Sequence, residues 1–327
     1  MGSESQGTHC ILIIALCIGA IVFLIYLLAK NNMAVNVHSV RSHPQAFHCT
    51  GFLFVTAFID TGRENWSEKG ISFERSNDLY VQSFRIMSEK LPLIAYIDDR
   101  MQKHLSSIKI PQTTEIRNVK DVDTFMKYKE IDQEIMDSEE YKNRIPIERK
   151  NYPEHCSAAY CLANHSKVNF LSHAASHCMG HNTFVAWVDF GILNSARWDI
   201  SILPSLDNID YDKIATDKVT IQAKNPLMIP DKVLKPGELL IDPNPRIAGG
   251  FSIIPINLAV SYEAMYDQLL SDWRREGICD DDQAATYELW SRYPHLISPL
   301  SNTKGGHEYF FMWNELKKSR TPQQVLN

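Results

Sequence analysis

One run, Phe184-Val185-Ala186-Trp187-Val188-Asp189-Phe190-Gly191, constrains the fold more than any other stretch. Its first five residues are apolar without a break, the pattern of a strand covered on both faces. A mainly parallel sheet with flanking helices is the architecture that buries such strands. Asp189 stands where the strand should end. In open α/β sheets ligands bind beyond the carboxyl ends of the strands, so a carboxylate there is a candidate site residue. The same letters also describe a plain turn, an acid shortly before a glycine.

The second constraint is Ile11 to Ala29, nineteen uncharged and mostly apolar residues. That length spans a bilayer as a helix. A cleaved signal peptide is the rival, but the preceding tail lacks Lys and Arg, and no small-x-small cleavage site follows. The expected layout is a tail over 1–10, an anchor over 11–29, a stem over 30–48 and one domain over 49–320. Lys30 and Arg41 after the span lean towards a cytosolic C-terminus. Two glycosylation sequons, at Asn65 and Asn164, lean towards a lumenal one. Flanking charge leaves the orientation open. A net charge of −6 and no basic stripe argue against nucleic acid as partner.

Along the domain, Thr50 to Phe58 reads as the first core strand, followed by a loop at Ile59-Asp60-Thr61-Gly62-Arg63. No GxGxxG or GxxxxGK pattern is present there, so neither a Rossmann dinucleotide site nor a P-loop is expected. Ser76 can cap a helix from Asn77, with Leu79, Tyr80, Phe84 and Met87 on one stripe. Pro92 to Ile97 reads as a strand ending in Asp98-Asp99-Arg100, an acidic pair that is a rival metal site or, more commonly, a solvated cap for the next helix. The charged stretch from Lys103 to Lys150 reads as a surface helical insertion. Ala163 to Cys178 reads as one amphipathic helix, with Lys167 near its start. Lys218 to Ala223 alternates like a strand. Gly249 and Gly250 precede an apolar run, and such glycines permit close approach of a ligand or form a tight turn. Leu258 to Arg275 and Ala284 to Tyr293 read as helices. The acids Asp280, Asp281 and Asp282 stand before the second of these and can be simple caps. Glu308 to Trp313 reads as a strand.

His155 to His181 concentrates histidine and cysteine. His173, His177 and His181 share a helical face, but the spacing is no standard zinc signature. In an oxidising lumen, disulfides are the better use of Cys156, Cys161 or Cys178.

Thr56-Ala57-Phe58-Ile59-Asp60-Thr61-Gly62-Arg63-Glu64-Asn65-Trp66, then Arg75-Ser76-Asn77-Asp78 with Tyr80, then Trp187-Val188-Asp189-Phe190-Gly191 resemble the HtrL/YibB-like family. More broadly the chain resembles a glycosyltransferase of the GT-A type. The resemblance continues through Ala248-Gly249-Gly250-Phe251 and Asp282-Gln283, and spans roughly residues 50 to 315.

This resemblance implies a GT-A-like mixed, mainly parallel sheet behind a single membrane anchor. It implies a lumenal enzyme of the Golgi or ER that moves a sugar from a nucleotide-sugar donor to a glycan, protein or lipid acceptor. A carbohydrate- or nucleotide-binding protein that keeps the fold without turnover is the alternative. Donor binding is then expected of Asp60, Arg63, Arg75, Asp78, Lys167, Asp189, Gly249, Gly250 and Lys304. Mn²⁺ or Mg²⁺ on Asp189 and His307 would stabilise the diphosphate leaving group. Asp282, with Asp281 second, is the expected general base towards the acceptor hydroxyl. One departure stands out. Such enzymes often carry Asp-x-Asp after the central strand, and here Gly191 holds the place of the second acid.

Overall fold

The apolar runs pair into one mixed sheet in the computed structural model, which describes residues 51–63, 73–177, 184–195, 198–223, 229–240, 247–301 and 312–317. All belong to a single unit, Phe47–Asn327. The expected tail, anchor and stem lie outside the described residues. Among the described residues no helix is long and apolar enough to cross a membrane.

The strands are β1 (Phe52–Phe58), β2 (Leu93–Ile97), β3 (Thr114–Asn118), β4 (Phe184–Val188), β5 (Val219–Ala223), β6 (Ile247–Pro255) and β7 (Ile297–Ser301). Their order across the sheet is β3-β2-β1-β4-β6-β5-β7. β1 runs parallel to β2 and β4, β2 to β3, and β5 to β7. β6 alone runs antiparallel to both its neighbours. The helices are α1 (Phe73–Lys90), α2 (Asp99–Leu105), α3 (Lys129–Asp137), α4 (Glu139–Arg144), α5 (Pro153–Cys156), α6 (Ala158–His165), α7 (Lys167–Ser176), α8 (Ile192–Ser195), α9 (Ala259–Arg275), α10 (Asp282–Arg292) and α11 (Met312–Glu315).

Side chains alternate across each strand, and both faces are apolar. Leu53, Val55, Val185, Trp187 and Ile254 join the core under α6, α7, α9 and α10. Phe52, Phe54, Ala186, Val188 and Ile253 join a second core with Phe84 and Met87 of α1 and Trp313 of α11. The result is a helix–sheet–helix sandwich.

Because β1, β2 and β4 are parallel, their carboxyl ends share one edge, with Asp60, Asp98 and Asp189 just beyond them. The reversal of β6 brings its amino end to that same edge. Val188 pairs with Phe251, and the Asp189 N–H donates to the Gly250 carbonyl at 3.2 Å. The glycines therefore lie inside β6, not in a turn before it.

Other expectations needed correction. α1 starts at Phe73, four residues early. The helix expected from Ala163 is two helices broken at buried Ser166, whose Oγ donates to the Leu162 carbonyl at 2.6 Å. The stretch from Lys103 to Lys150 is no plain surface insertion. It supplies β3, and α3 and α4 bury Met136 and Tyr141. Asp132 of α3 meets Arg274 of α9 at 2.6 Å. β3 and β7 escaped notice because edge strands need no apolar alternation; β7 even carries Pro299. Trp313 belongs to α11, not to a strand. Cys156, Cys161 and Cys279 are free thiols, so the disulfides expected of the first two are not formed. Cys178 lies outside the described residues.

Phe84 is fully buried and stacks on Phe190 with ring centroids 5.0 Å apart. Phe84→Ala should cost about 3–5 kcal/mol in urea unfolding, whereas Ile131→Ala, at a half-exposed position, should change stability by roughly 0.5 kcal/mol or less. Equal costs at the two positions would contradict this account of the second core.

Candidate functional site

Lys167 opens α7, directly after the break at Ser166 that separates it from α6. The break aims its side chain back along the sheet towards the edge where β4 ends. The ammonium meets three oxygens: Asp282 Oδ2 at 2.8 Å, the Gly249 carbonyl at 3.0 Å and Asp189 Oδ1 at 3.3 Å. An ammonium has three N–H donors, so each has a partner. It also lies 5.7 Å from the centre of the Trp187 ring. The Lys167 side chain is 12% exposed, as is that of Asp282, while Asp189 is 40% exposed. Burial alone would push the lysine pKa down; the carboxylates of Asp189 and Asp282 outweigh it and hold the group above its ordinary range.

Asp189 is anchored a second time. Trp187, two residues earlier and so on the same face of β4, donates its indole N–H to Asp189 Oδ1 at 2.6 Å. Asp189 Oδ2 accepts no hydrogen bond from the described residues and is the open oxygen of the site. Gly249 has a steric duty here. A Cβ on it would come within 2.7 Å of Asp282 Oδ2. The space expected for a sugar against Gly249 is thus taken by Asp282. On Gly250 a Cβ would meet Ile192 Cδ1 at 3.1 Å, with Asp189 Oδ2 at 3.6 Å.

Behind Asp282 stand two further buried acids. Asp281 caps α10, its Oδ1 accepting the Gln283 and Ala284 N–H groups at 3.0 Å each. That is the work of a cap, and it replaces the expectation of Asp281 as second base. Burial, then the charges of Asp280 and Asp282, raise its pKa. Asp280 accepts the Asp281 N–H at 2.8 Å, and burial pushes its pKa up to about 7. His165, bridging Tyr266 Oη and the Asp280 carbonyl at 2.9 Å each, is pushed down to about 3 by burial. It is neutral and structural. A cavity of about 40 Å³ next to Asp282, lined also by Asn164, Lys167, Tyr262 and Thr286, has room for water but not for a sugar.

The rim of the edge is built from β1 and its neighbours. Asp60 Oδ1 accepts the Gly62 N–H at 2.9 Å, its Oδ2 accepts Arg100 at 2.5 Å, and its own N–H donates to Asp98 Oδ2 at 2.6 Å. Asp60 therefore braces the loop with both oxygens. Arg63 donates to Tyr80 Oη at 2.8 Å. The Tyr80 ring explains Gly191, because a Cβ there would overlap the ring edge, reaching within 2.6 Å of Cδ1. No second acid fits at that position. Asp78 is exposed on α1. Arg75 lies on α1 with its side chain outside the description, and Lys304, His307 and Asn65 fall outside the described residues. Asn164 is half-buried in α6, its amide donating to the Tyr160 carbonyl at 3.1 Å, and the other two sequon residues, His165 and Ser166, are buried. That setting does not suit a glycan.

Of the pair expected to hold Mn²⁺ or Mg²⁺, only Asp189 is among the described residues, and its Oδ1 is taken by Lys167 and Trp187. Among the described residues no three His, Cys, Asp or Glu side chains come together as a metal site. Hard divalent cations take oxygen ligands, and here the converging oxygens surround an ammonium.

Thus the fold brings Lys167, Asp189, Gly249, Gly250 and Asp282 together, while Asp60 and Arg63 sit along the rim. Trp187, Tyr80 and Arg100 were missed, and Asp98, considered as part of a rival metal site, instead holds the Asp60 N–H on the rim. The two-residue spacing of Trp187 and Asp189 was the signal for the first; the others join the site through pairings of distant segments.

Gly191→Ala should cost about 1–3 kcal/mol by overpacking, and Tyr80→Ala in the same chain should relieve part of that cost. Strict additivity in urea unfolding would rule the clash out. The pKa of Asp280 is higher folded than unfolded, so the folded state binds more protons. Stability from this group therefore falls as pH rises from about 4 to about 7. Asp280→Asn should raise the melting temperature more at about pH 8 than at about pH 5; an equal change at both would contradict the assignment.

The family model described as "Bacterial protein of unknown function (HtrL_YibB)" matches residues 51–219, a span that holds Asp60, Lys167 and Asp189 but ends before Gly249 and Asp282. Protein HtrL of Escherichia coli (strain K12) is 26% identical over 141 residues, covering 42% of this chain and 50% of that protein. The chain thus spans about half the length of the curated relative it matches. The crystal structure of mouse xyloside xylosyltransferase 1 in its apo form is similar with a TM-score of 0.33 and 9% identity, over 76% of this chain and 84% of that one. With just over half of its length matched, from β1 to the start of β5, the chain belongs to the HtrL_YibB family.

Proposed function

We propose that this chain is a GT-A-like glycosyltransferase that moves a sugar from a nucleotide-sugar donor to a hydroxyl of a glycan, protein or lipid. The observation that carries the reading is Asp189. It stands at the carboxyl tip of β4, clamped through Oδ1 by Trp187 and Lys167 and open through Oδ2. A pinned carboxylate at a ligand-binding strand edge is preorganised for hydroxyl groups of a donor. The mixed, mainly parallel sheet fits the resemblance.

In the reaction, the acceptor oxygen bonds to the anomeric carbon, and the bond from that carbon to the diphosphate oxygen breaks. The leaving diphosphate keeps the electron pair. Asp189 Oδ2 holds a donor hydroxyl. Arg63, on the rim beside Tyr80, faces the charge that grows on the diphosphate. If the anomeric centre inverts, Asp282 takes the acceptor proton through Oδ1, its oxygen not bonded to Lys167, by way of a water in the adjoining cavity; if the centre is retained, the leaving diphosphate takes that proton. We also place the domain in the Golgi or ER lumen behind an anchor at 11–29; protease protection of the domain in sealed microsomes is the test.

A second reading, a lumenal binding protein without turnover, draws on Gly191 and the Tyr80 ring that fills the place of the second acid.

Purified domain incubated with a panel of nucleotide sugars should release nucleoside diphosphate. Asp189→Ala should lower that rate about 100-fold or more, the scale on which charge-stabilising groups act, with cooperative unfolding retained. Wild-type turnover in Asp189→Ala would reject the assignment, and donor binding without release would select the second reading.

A further inference from the structure

The geometry points to Lys167 as a built-in cation. Its ammonium fills an oxygen seat between Asp189 and Asp282 that would otherwise take a divalent ion, and donor binding needs no added Mn²⁺ or Mg²⁺. The inference rests on the nucleotide-sugar reading only for its second half.

Three oxygens of three different segments converge on one nitrogen: a carboxylate oxygen from the end of β4, a carboxylate oxygen from α10 and a backbone carbonyl from β6. Two carboxylates and a carbonyl are the donor chemistry of a hard-cation site. Like charges brought this close repel, and a counter-charge must lie between them. Lys167 supplies it from within the chain, with its side chain 12% exposed. Gly249 is the sequence's provision for the seat, since a side chain there would collide with Asp282. The Trp187 indole N–H closes the remaining approach to Asp189 Oδ1. At Gly191 the Tyr80 ring excludes the second acid with which an outer cation would be shared. Two separate features therefore act against a bound divalent ion: Lys167 takes its seat, and the Tyr80 ring takes the place of a ligand.

The test uses Mn²⁺ alone, followed by the resonance of free Mn²⁺ and by thermal shift. Wild type should leave Mn²⁺ free. Lys167→Met should take up one Mn²⁺ per chain and melt higher with it than without, and Lys167→Met with Asp282→Asn should lose that uptake. One Mn²⁺ bound by wild type and lost in Asp189→Asn would overturn the inference, as would a folded Lys167→Met that takes up none. If Lys167→Met folds only in Mn²⁺, the seat is confirmed; if it folds in neither condition, Lys167→Gln is titrated with the same two outcomes. A second arm measures donor binding to wild type in chelator and in Mn²⁺. Equal affinity supports the inference, and a tenfold or greater dependence on Mn²⁺ overturns it while leaving the nucleotide-sugar reading intact. Failure of every donor to bind defeats that reading instead, and the Mn²⁺ titration still decides whether Lys167 fills a cation seat.

Discussion

An ammonium enclosed by two carboxylates and a carbonyl is the interaction on which the edge of this sheet depends. Lys167 comes from α7, Asp189 from the end of β4, Gly249 from β6 and Asp282 from the first turn of α10. These segments lie far apart in sequence and share one nitrogen as their meeting point. Removing a single member of a buried charge group typically costs about 3–5 kcal/mol, because the others are left unpaired. The cluster is therefore a constraint on the fold as much as a feature of a site. It ties the helical layer to the sheet where a reversed strand interrupts parallel order.

The period-two geometry of β4 extends that constraint to both cores. Trp187 and Asp189 face the layer of α7 and α9, while Val188 and Phe190 face the layer of α1. Phe190 stacks on Phe84, and Tyr80 of the same helix closes over Gly191. A shift of β4 by one residue would carry Asp189 into an apolar layer and Phe190 towards the ammonium. Both packing and charge thus set the same register. This agreement explains how a largely buried lysine persists at the end of an apolar strand.

Much of this was legible in the residues. Strongly apolar runs announced β1, β2 and β4, and the helical stripe of Leu258 to Arg275 announced α9. Asp189 was legible because it breaks an apolar run at the end where ligands bind. The edge strands were not, since β3 reads Thr-Glu-Ile-Arg-Asn and is only half-buried. Lys167 was noticed as a cation near a helix start, but its partners were not. Nothing local shows that α10 and β6 bring two oxygens to it, for that knowledge lies in pairings across 82 and 115 residues. Gly249 and Gly250 looked like room for a ligand. The first is in fact room for a neighbouring carboxylate, a distinction that only tertiary contacts make.

The exclusion at Gly191 and the inclusion at Lys167 bear on each other. A site with two outward acids carries excess negative charge and must recruit a cation from solvent before an anionic diphosphate can approach. Here one acid is absent for a steric reason, and another, Asp282, is paired internally. What β4 itself presents outward is one carboxylate oxygen, Asp189 Oδ2, on a group already paired with the same lysine. Arg63 and Arg100 stand along the adjoining loop. The electrostatic cost of bringing phosphate to such an edge is lower than at a two-acid edge, before any ion is bound. The tyrosine that blocks an acid and the lysine that neutralises one act in the same direction, so the departure from Asp-x-Asp is compatible with a working anion site.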